Sequence, residues 1–206
     1  MAASVKGNIE LGAAPASEEQ DEGPERASGA ARALELGELL ASWDTHAGLG
    51  AALQGTLSAG LSGMPWAISP AGGARAAARA FGLLRLQRSP ELVARWLEFA
   101  ALASPSPLLA RAVPFLREVG AEDGVARFRL EGAARAAALH RALWPLKRRV
   151  MAAGAAHGWP LARHMWLQYP QQAEARGPLA SRQFMVGDLL LVCPVLGAGR
   201  AAAHCW

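Results

Sequence analysis

The stretch Gly158-Trp159-Pro160-Leu161-Ala162-Arg163-His164-Met165-Trp166-Leu167-Gln168-Tyr169-Pro170 is where the pattern of the chain changes. Before it, apolar residues recur at helical spacing. Gly158 and Pro160 then supply a stop signal. After it, Leu161 to Tyr169 reads as a strand with partial alternation. Phe184 to Leu196 reads as further β structure, with a turn at Gly187-Asp188. The chain thus passes from helices with short strands to strands alone. An α/β unit followed by the opening of a β domain fits that order.

Working back from this junction, Glu131 to Leu143 reads as a helix. Pro145 either kinks it or starts a second one running to His157. Leu139, Leu143, Leu146 and Val150 keep one apolar stripe across that break. Ser89-Pro90-Glu91 marks a helix start: a capping hydroxyl, a proline suited to the first position and an acid that complements the dipole. Leu92, Trp96 and Phe99 follow on one face. Leu49, Leu53, Leu57 and Leu61 recur every four residues, a helix with one buried face, ended by Gly63 and Pro65. Met64 to Ser69 is an apolar run of strand length. Residues 1–33 alternate Ala, Gly, Ser and Pro with acidic residues and offer almost nothing to a core, so a disordered tail is expected.

Composition sets broad bounds. The 206 residues suffice for one domain with a core but are short for a complete (β/α)8 barrel. The net charge is +4 and the pI about 9.8, yet the arginines are scattered and no nucleic-acid motif is present. The tight basic run Lys147-Arg148-Arg149 reads as a solvated helix face. No uninterrupted apolar run is long enough to span a membrane, and no hydrophobic leader is evident. Cys193 and Cys205 are not in metal-ligand spacing. Cys193 reads as a small buried hydrophobe, and no disulfide framework is expected. His140, His157 and His164 share no metal-ligand spacing, so neither a metal nor a cofactor is expected.

Four segments resemble glycoside hydrolase family 31, in the family's order. Gly158 to Pro170 is similar to its "G-x-P-x-x-R-x-x-x-L-x-Y-P" segment. Gln183-Phe184-Met185-Val186-Gly187-Asp188-Leu189-Leu190-Leu191-Val192-Cys193-Pro194-Val195-Leu196 resembles "Q-F-x-x-G-x-D-L-L-V-A-P-V-L". Ser89 to Ala101 resembles the helix that enters the last barrel strand. Trp43-Asp44-Thr45-His46-Ala47-Gly48 with Leu57 to Gly63 resembles the helix after the sixth strand, in a Trp-x-x-His-x-Gly spacing nearest the sulfoquinovosidase-like branch. The resemblance implies the C-terminal portion of a (β/α)8 barrel over residues 34–158. The first strands of a β-sandwich would follow over residues 159–206. It also implies hydrolysis of α-linked O-glycosyl bonds, a carbohydrate partner and a retaining mechanism.

Retaining hydrolysis needs a nucleophilic carboxylate and an acid/base carboxyl group close together. The family's nucleophile lies in a W-x-D-x-N-E context that these 206 residues lack. Its acid/base Asp falls on Glu38 of Gly37-Glu38, where an extra methylene displaces the carboxyl by about 1 Å, enough for roughly 100-fold in rate. Read without the family, Leu34 to Leu40 is an amphipathic helix and Glu38 a solvated residue on it. Asp44 is a fallback acid. Ser69-Pro70-Ala71-Gly72-Gly73 stands where the family has His-Asp-Ile-Gly-Gly, and Arg111 is one place out of register with the last Arg-x-His. Trp43 and Trp66 are candidates to stack on a sugar, with core packing the competing role, and His46 to orient a loop. The expectation is a family 31-like chain that is incomplete or inactive alone. The alternative is a degenerate carbohydrate-binding or interaction module.

Overall fold

A computed structural model describes residues 33–37, 39–69, 89–105 and 123–205, the last of these with side chains from residue 131 onward. They belong to one compact unit, Ala31–Trp206, of α/β construction.

The first part is a β-α-β unit. Strand β1, Ala33–Glu35, pairs in parallel with β2, Trp66–Ile68, and helix α1, Leu49–Leu61, connects them. The register sets Ala33 against Trp66 and Glu35 against Ile68, and the Leu36 N–H donates to the Ile68 carbonyl at 2.9 Å. The helix expected over Leu34–Leu40 is therefore not formed. Three residues of strand, fixed by a partner thirty-three positions away, override a local pattern that suits either structure.

Helix α1 ends as its sequence dictates. Gly63 takes φ +82°, the Met64 N–H reaches the Ala59 carbonyl at 2.9 Å, and the Gly63 N–H reaches that of Gly60 at 3.3 Å. This double closure uses the left-handed region that glycine enters without steric cost. Helix α2, Pro90–Ala103, starts as expected, with Ser89 Oγ accepting the Leu92 N–H at 3.2 Å. Helix α3, Asp123–His157, is longer than its apolar stripe suggests and continues through Pro145. Small residues let it approach α2 closely: a Cβ on Gly132 would lie 3.3 Å from that of Ala94.

The C-terminal region forms an antiparallel sheet in the order β3 (Ala162–Arg163), β4 (Phe184–Val186), β5 (Leu190–Val192). The expected turn is present, with Gly187 at φ +62°. The long strand expected over Leu161–Tyr169 is cut to two residues. His164 is extended and its Nδ1 accepts the Trp166 N–H at 3.0 Å, which starts a four-residue helix α4, Met165–Gln168. A short 3-10 helix, Ala173–Arg176, follows.

Helices and sheet share one core. Leu49, Leu53 and Leu57 of α1 meet Leu92, Trp96 and Phe99 of α2, Val150 of α3, and Leu161, Phe184, Val186 and Val192 of the C-terminal segment. A second cluster joins Val93, Leu97 and Ala101 of α2 to Ala133 and Ala136 of α3. The Leu161 N–H donates to the Pro65 carbonyl at 2.9 Å, and a Cβ on Gly60 would come within 2.9 Å of the Pro160 ring.

Two expectations about side chains are corrected. Lys147 is fully buried, while its neighbours Arg148 and Arg149 are exposed. Lys147 lies on the α2-facing side of α3, where three successive residues point in different directions. Cys193 and Cys205 form a disulfide with a Cα–Cα distance of 5.8 Å, within ordinary reach of the bond. Gly199, at φ +67°, helps return the chain between them.

Candidate functional site

In a parallel β-α-β unit both strands end on the same side, and the segments that follow those ends are where chemistry is built. Here they are the loop after β1, which leads to α1, and Ser69 after β2. Glu38 lies outside the described residues, as do Pro70, Gly72, Gly73 and Arg111. Gly37, the last described residue before Glu38, lies just beyond β1.

Within that loop Trp43 is half-buried and packs against the main core. Asp44 is exposed, and its Oδ1 accepts the backbone N–H groups of His46 at 2.8 Å and Ala47 at 2.7 Å. Those bonds, the His46 one foremost, hold its carboxyl below the usual aspartate value. A carboxylate so held accepts and does not donate, which counts against Asp44 as a proton donor. The loop is closed by the Leu49 N–H on the Ser42 carbonyl at 3.0 Å. It passes Gly48 so tightly that a Cβ there would lie 2.2 Å from the Ser42 carbonyl oxygen. The His46 side chain is exposed on the same loop. Trp43, Asp44 and His46 thus share one short turn on the C-terminal side of β1.

Trp66 sits elsewhere. It is the first residue of β2, so a strand length of about 10 Å separates it from Ser69. Its ring is half-buried with Nε1 buried beside α3, where a Cβ on Gly154 would lie 3.8 Å away, and it has no hydrogen-bond partner among the described residues.

Ser69 occupies the first position of the segment compared with His-Asp-Ile-Gly-Gly. It is buried, and its Oγ accepts the indole N–H of Trp96 at 3.0 Å. Composition gave no signal of this role beyond a lone hydroxyl at the end of an apolar strand. Ser69→Ala leaves the fully buried indole N–H of Trp96 without this acceptor. The expected loss is about 1–3 kcal/mol, read from the urea unfolding midpoint against the native chain.

A second set of polar contacts surrounds Arg163. Its guanidinium lies 4.5 Å over the Trp159 ring and donates to Gln168 Oε1. Burial lowers its pKa and Asp188 opposes that shift. Among the described residues no group of three or more His, Cys, Asp or Glu side chains is disposed to hold a metal ion. Nor is any helix among them long and apolar enough to cross a membrane.

Residues 158–206 match the family model described as the glycosyl hydrolase family 31 C-terminal domain. No curated protein matches the chain. Among solved structures, the chain is similar to a family 31 sulfoquinovosidase from E. rectale in complex with an aza-sugar inhibitor. The TM-score is 0.62 at 23% identity, over 81% of this chain and 23% of that one. It is similar to a family 31 α-xylosidase from a soil metagenome, complexed with xylose, with TM-score 0.58 at 22% identity over 81% and 25%. It is also similar to a family 31 α-glucosidase from Bacteroides thetaiotaomicron, with TM-score 0.58 at 19% identity over 84% and 26%. The chain spans about a quarter of the length of these structures, and at such identities the likeness is one of fold. Residues 158–206 thus match the family 31 C-terminal domain, and the fold of the described residues is similar to that of family 31 structures.

Proposed function

We propose that this chain supplies the C-terminal part of an α-glycosidase of family 31 type, acting on α-linked O-glycosyl bonds of a carbohydrate. In this reading β1, α1, β2 and the two long helices, residues 34–158, are the last portion of a (β/α)8 barrel. Residues 159–206 open a β-sandwich. The observation that carries it is the parallel β1–α1–β2 unit. The Trp43–His46 turn lies beyond the C-terminal end of β1, the side on which barrel enzymes hold their catalytic groups, which supports the reading.

Glu38 takes the role of proton donor. Asp44, held ionised by two backbone N–H groups, organises the loop. Trp43 offers a flat apolar face to a sugar ring, and His46 orients the turn; Trp66, at the far end of β2, supports the core side of the strand. The nucleophile's W-x-D-x-N-E context does not occur in these 206 residues, so hydrolysis by this stretch alone is not expected. The test is binding. A neighbour in fold is known in complex with an aza-sugar, a mimic of the charge that develops on the sugar ring. This chain should bind an aza-sugar through the loop after β1 and lose that binding in Trp43→Ala.

A further inference from the structure

Lys147 has no exposed surface, yet it carries an amine at the joint between α2 and α3. Its Nζ donates to the Ala101 carbonyl at 2.8 Å and lies 3.0 Å from His140 Nδ1, two turns back on its own helix. The Ala101 carbonyl is in the last turn of α2, where no N–H of that helix can reach it. The next free donor, the Ser104 N–H, is spent on Ala100 at 3.0 Å. Lys147 therefore fastens α3 to the C-terminal end of α2.

His140 is itself buried, and its Nδ1 faces an amine. A ring nitrogen accepts a hydrogen bond only when it is unprotonated. Among the described residues the acids on the neighbouring elements are engaged elsewhere, and Glu131 is an exposed residue more than two turns back along α3. On α2, Glu98 is paired with Arg95 at 2.9 Å and Glu91 binds the Gly199 N–H. On α3 the neighbours Arg135, Arg141, Arg148 and Arg149 are exposed cations. From the β4–β5 turn, Gly187 packs on Val150, and Asp188 beside it acts on Arg163.

We infer that the α2–α3 joint is an acid-released clasp: protonating His140 withdraws the acceptor from Lys147, sets two cations about 3 Å apart in a buried site, and frees the C-terminal end of α2. One proton shared by the pair is tolerated; two are not. Burial, then the Lys147 charge, holds the His140 imidazole below its ordinary value of 6.5 against the opposing pull of the Ala101 backbone, in the direction the clasp requires. Because the indole N–H of Trp96 on α2 is bound to Ser69, release of α2 is felt at the end of β2. This inference stands apart from the glycosidase reading.

The sign follows from linkage. An imidazole whose folded pKa lies below its unfolded value contributes stability above that unfolded value. The contribution is lost as pH falls towards the folded one. The experiment compares urea unfolding of the full chain with His140→Gln from about pH 8 to about pH 4. Gln keeps an acceptor for Lys147 and does not titrate. Below the ordinary imidazole value, the unfolding constant of the native chain should rise by about tenfold per pH unit relative to the variant, then level off. Lys147→Met, which removes the second cation, should shrink that rise. A fixed ratio between native chain and His140→Gln across the range would overturn the inference. An unchanged acid limb in Lys147→Met would overturn the pairing. If His140→Gln fails to fold, the Lys147→Met profile alone decides.

Discussion

Phe184→Ala lowers the stability of the chain by roughly 3–5 kcal/mol, the cost of emptying a fully buried aromatic site. Phe184 stands on β4, and its ring meets that of Phe99 on α2 edge to face, with centroids 6.0 Å apart and planes at 88°. Neither ring is more than 1% exposed. The pair therefore joins the C-terminal sheet to the helices inside their shared core. Because α1, α2, α3 and the sheet contribute to one core, the loss should be felt by all of them at once. Far-ultraviolet circular dichroism and tryptophan fluorescence should give coincident unfolding curves, shifted together in the variant. A sheet that melts separately, leaving the helices at their native midpoint, would contradict the shared core.

Lys147→Met raises stability near neutral pH, by roughly 2–4 kcal/mol. Burial pulls the Lys147 pKa from its ordinary 10.5 to about 7. A lysine whose folded value lies below its unfolded value takes up its proton more readily when unfolded. Stability therefore rises with pH from about 7 towards 10.5, and the penalty is fully present below about 7. Integrated over that window it amounts to roughly 5 kcal/mol. Met keeps the length and apolar stem while removing the charge. Part of the gain is offset, because the Ala101 carbonyl loses its donor at a cost of about 1 kcal/mol. Thermal unfolding at several pH values checks this. The native chain should gain stability through the alkaline window while the variant stays flat there. A variant less stable than the native chain at neutral pH would mean that the bond to Ala101 outweighs the buried charge.

The helices were legible because each carries local chemistry strong enough to survive any fold. Ser89-Pro90-Glu91 starts α2, and Gly63 with Pro65 ends α1. The parallel strand β1 was not legible from its residues. Ala33-Leu34-Glu35 is as acceptable to a helix as to a strand, and only β2 decides. The segment after Leu161 misled because its alternation continues past Arg163, whereas His164 turns the backbone by accepting the Trp166 N–H. Lys147 was hidden by its exposed neighbours Arg148 and Arg149, since a run of cations says nothing about which one faces a helix. The Cys193–Cys205 bond depends on how a loop returns, which spacing does not fix. Trp43 and His46 fall in the turn between β1 and α1, while Glu38 lies outside the described residues.

The central claim is that this turn forms part of a carbohydrate site. It is tested most directly by titrating an aza-sugar into the full 206-residue chain and following backbone amide shifts by NMR up to about millimolar ligand, a range that reports even weak binding. Saturable shifts confined to residues 37–48 and the neighbourhood of Ser69, absent in a folded Trp43→Ala variant, are the expected result. A native chain whose spectrum stays unmoved, or whose shifts persist unchanged in Trp43→Ala, would contradict the account.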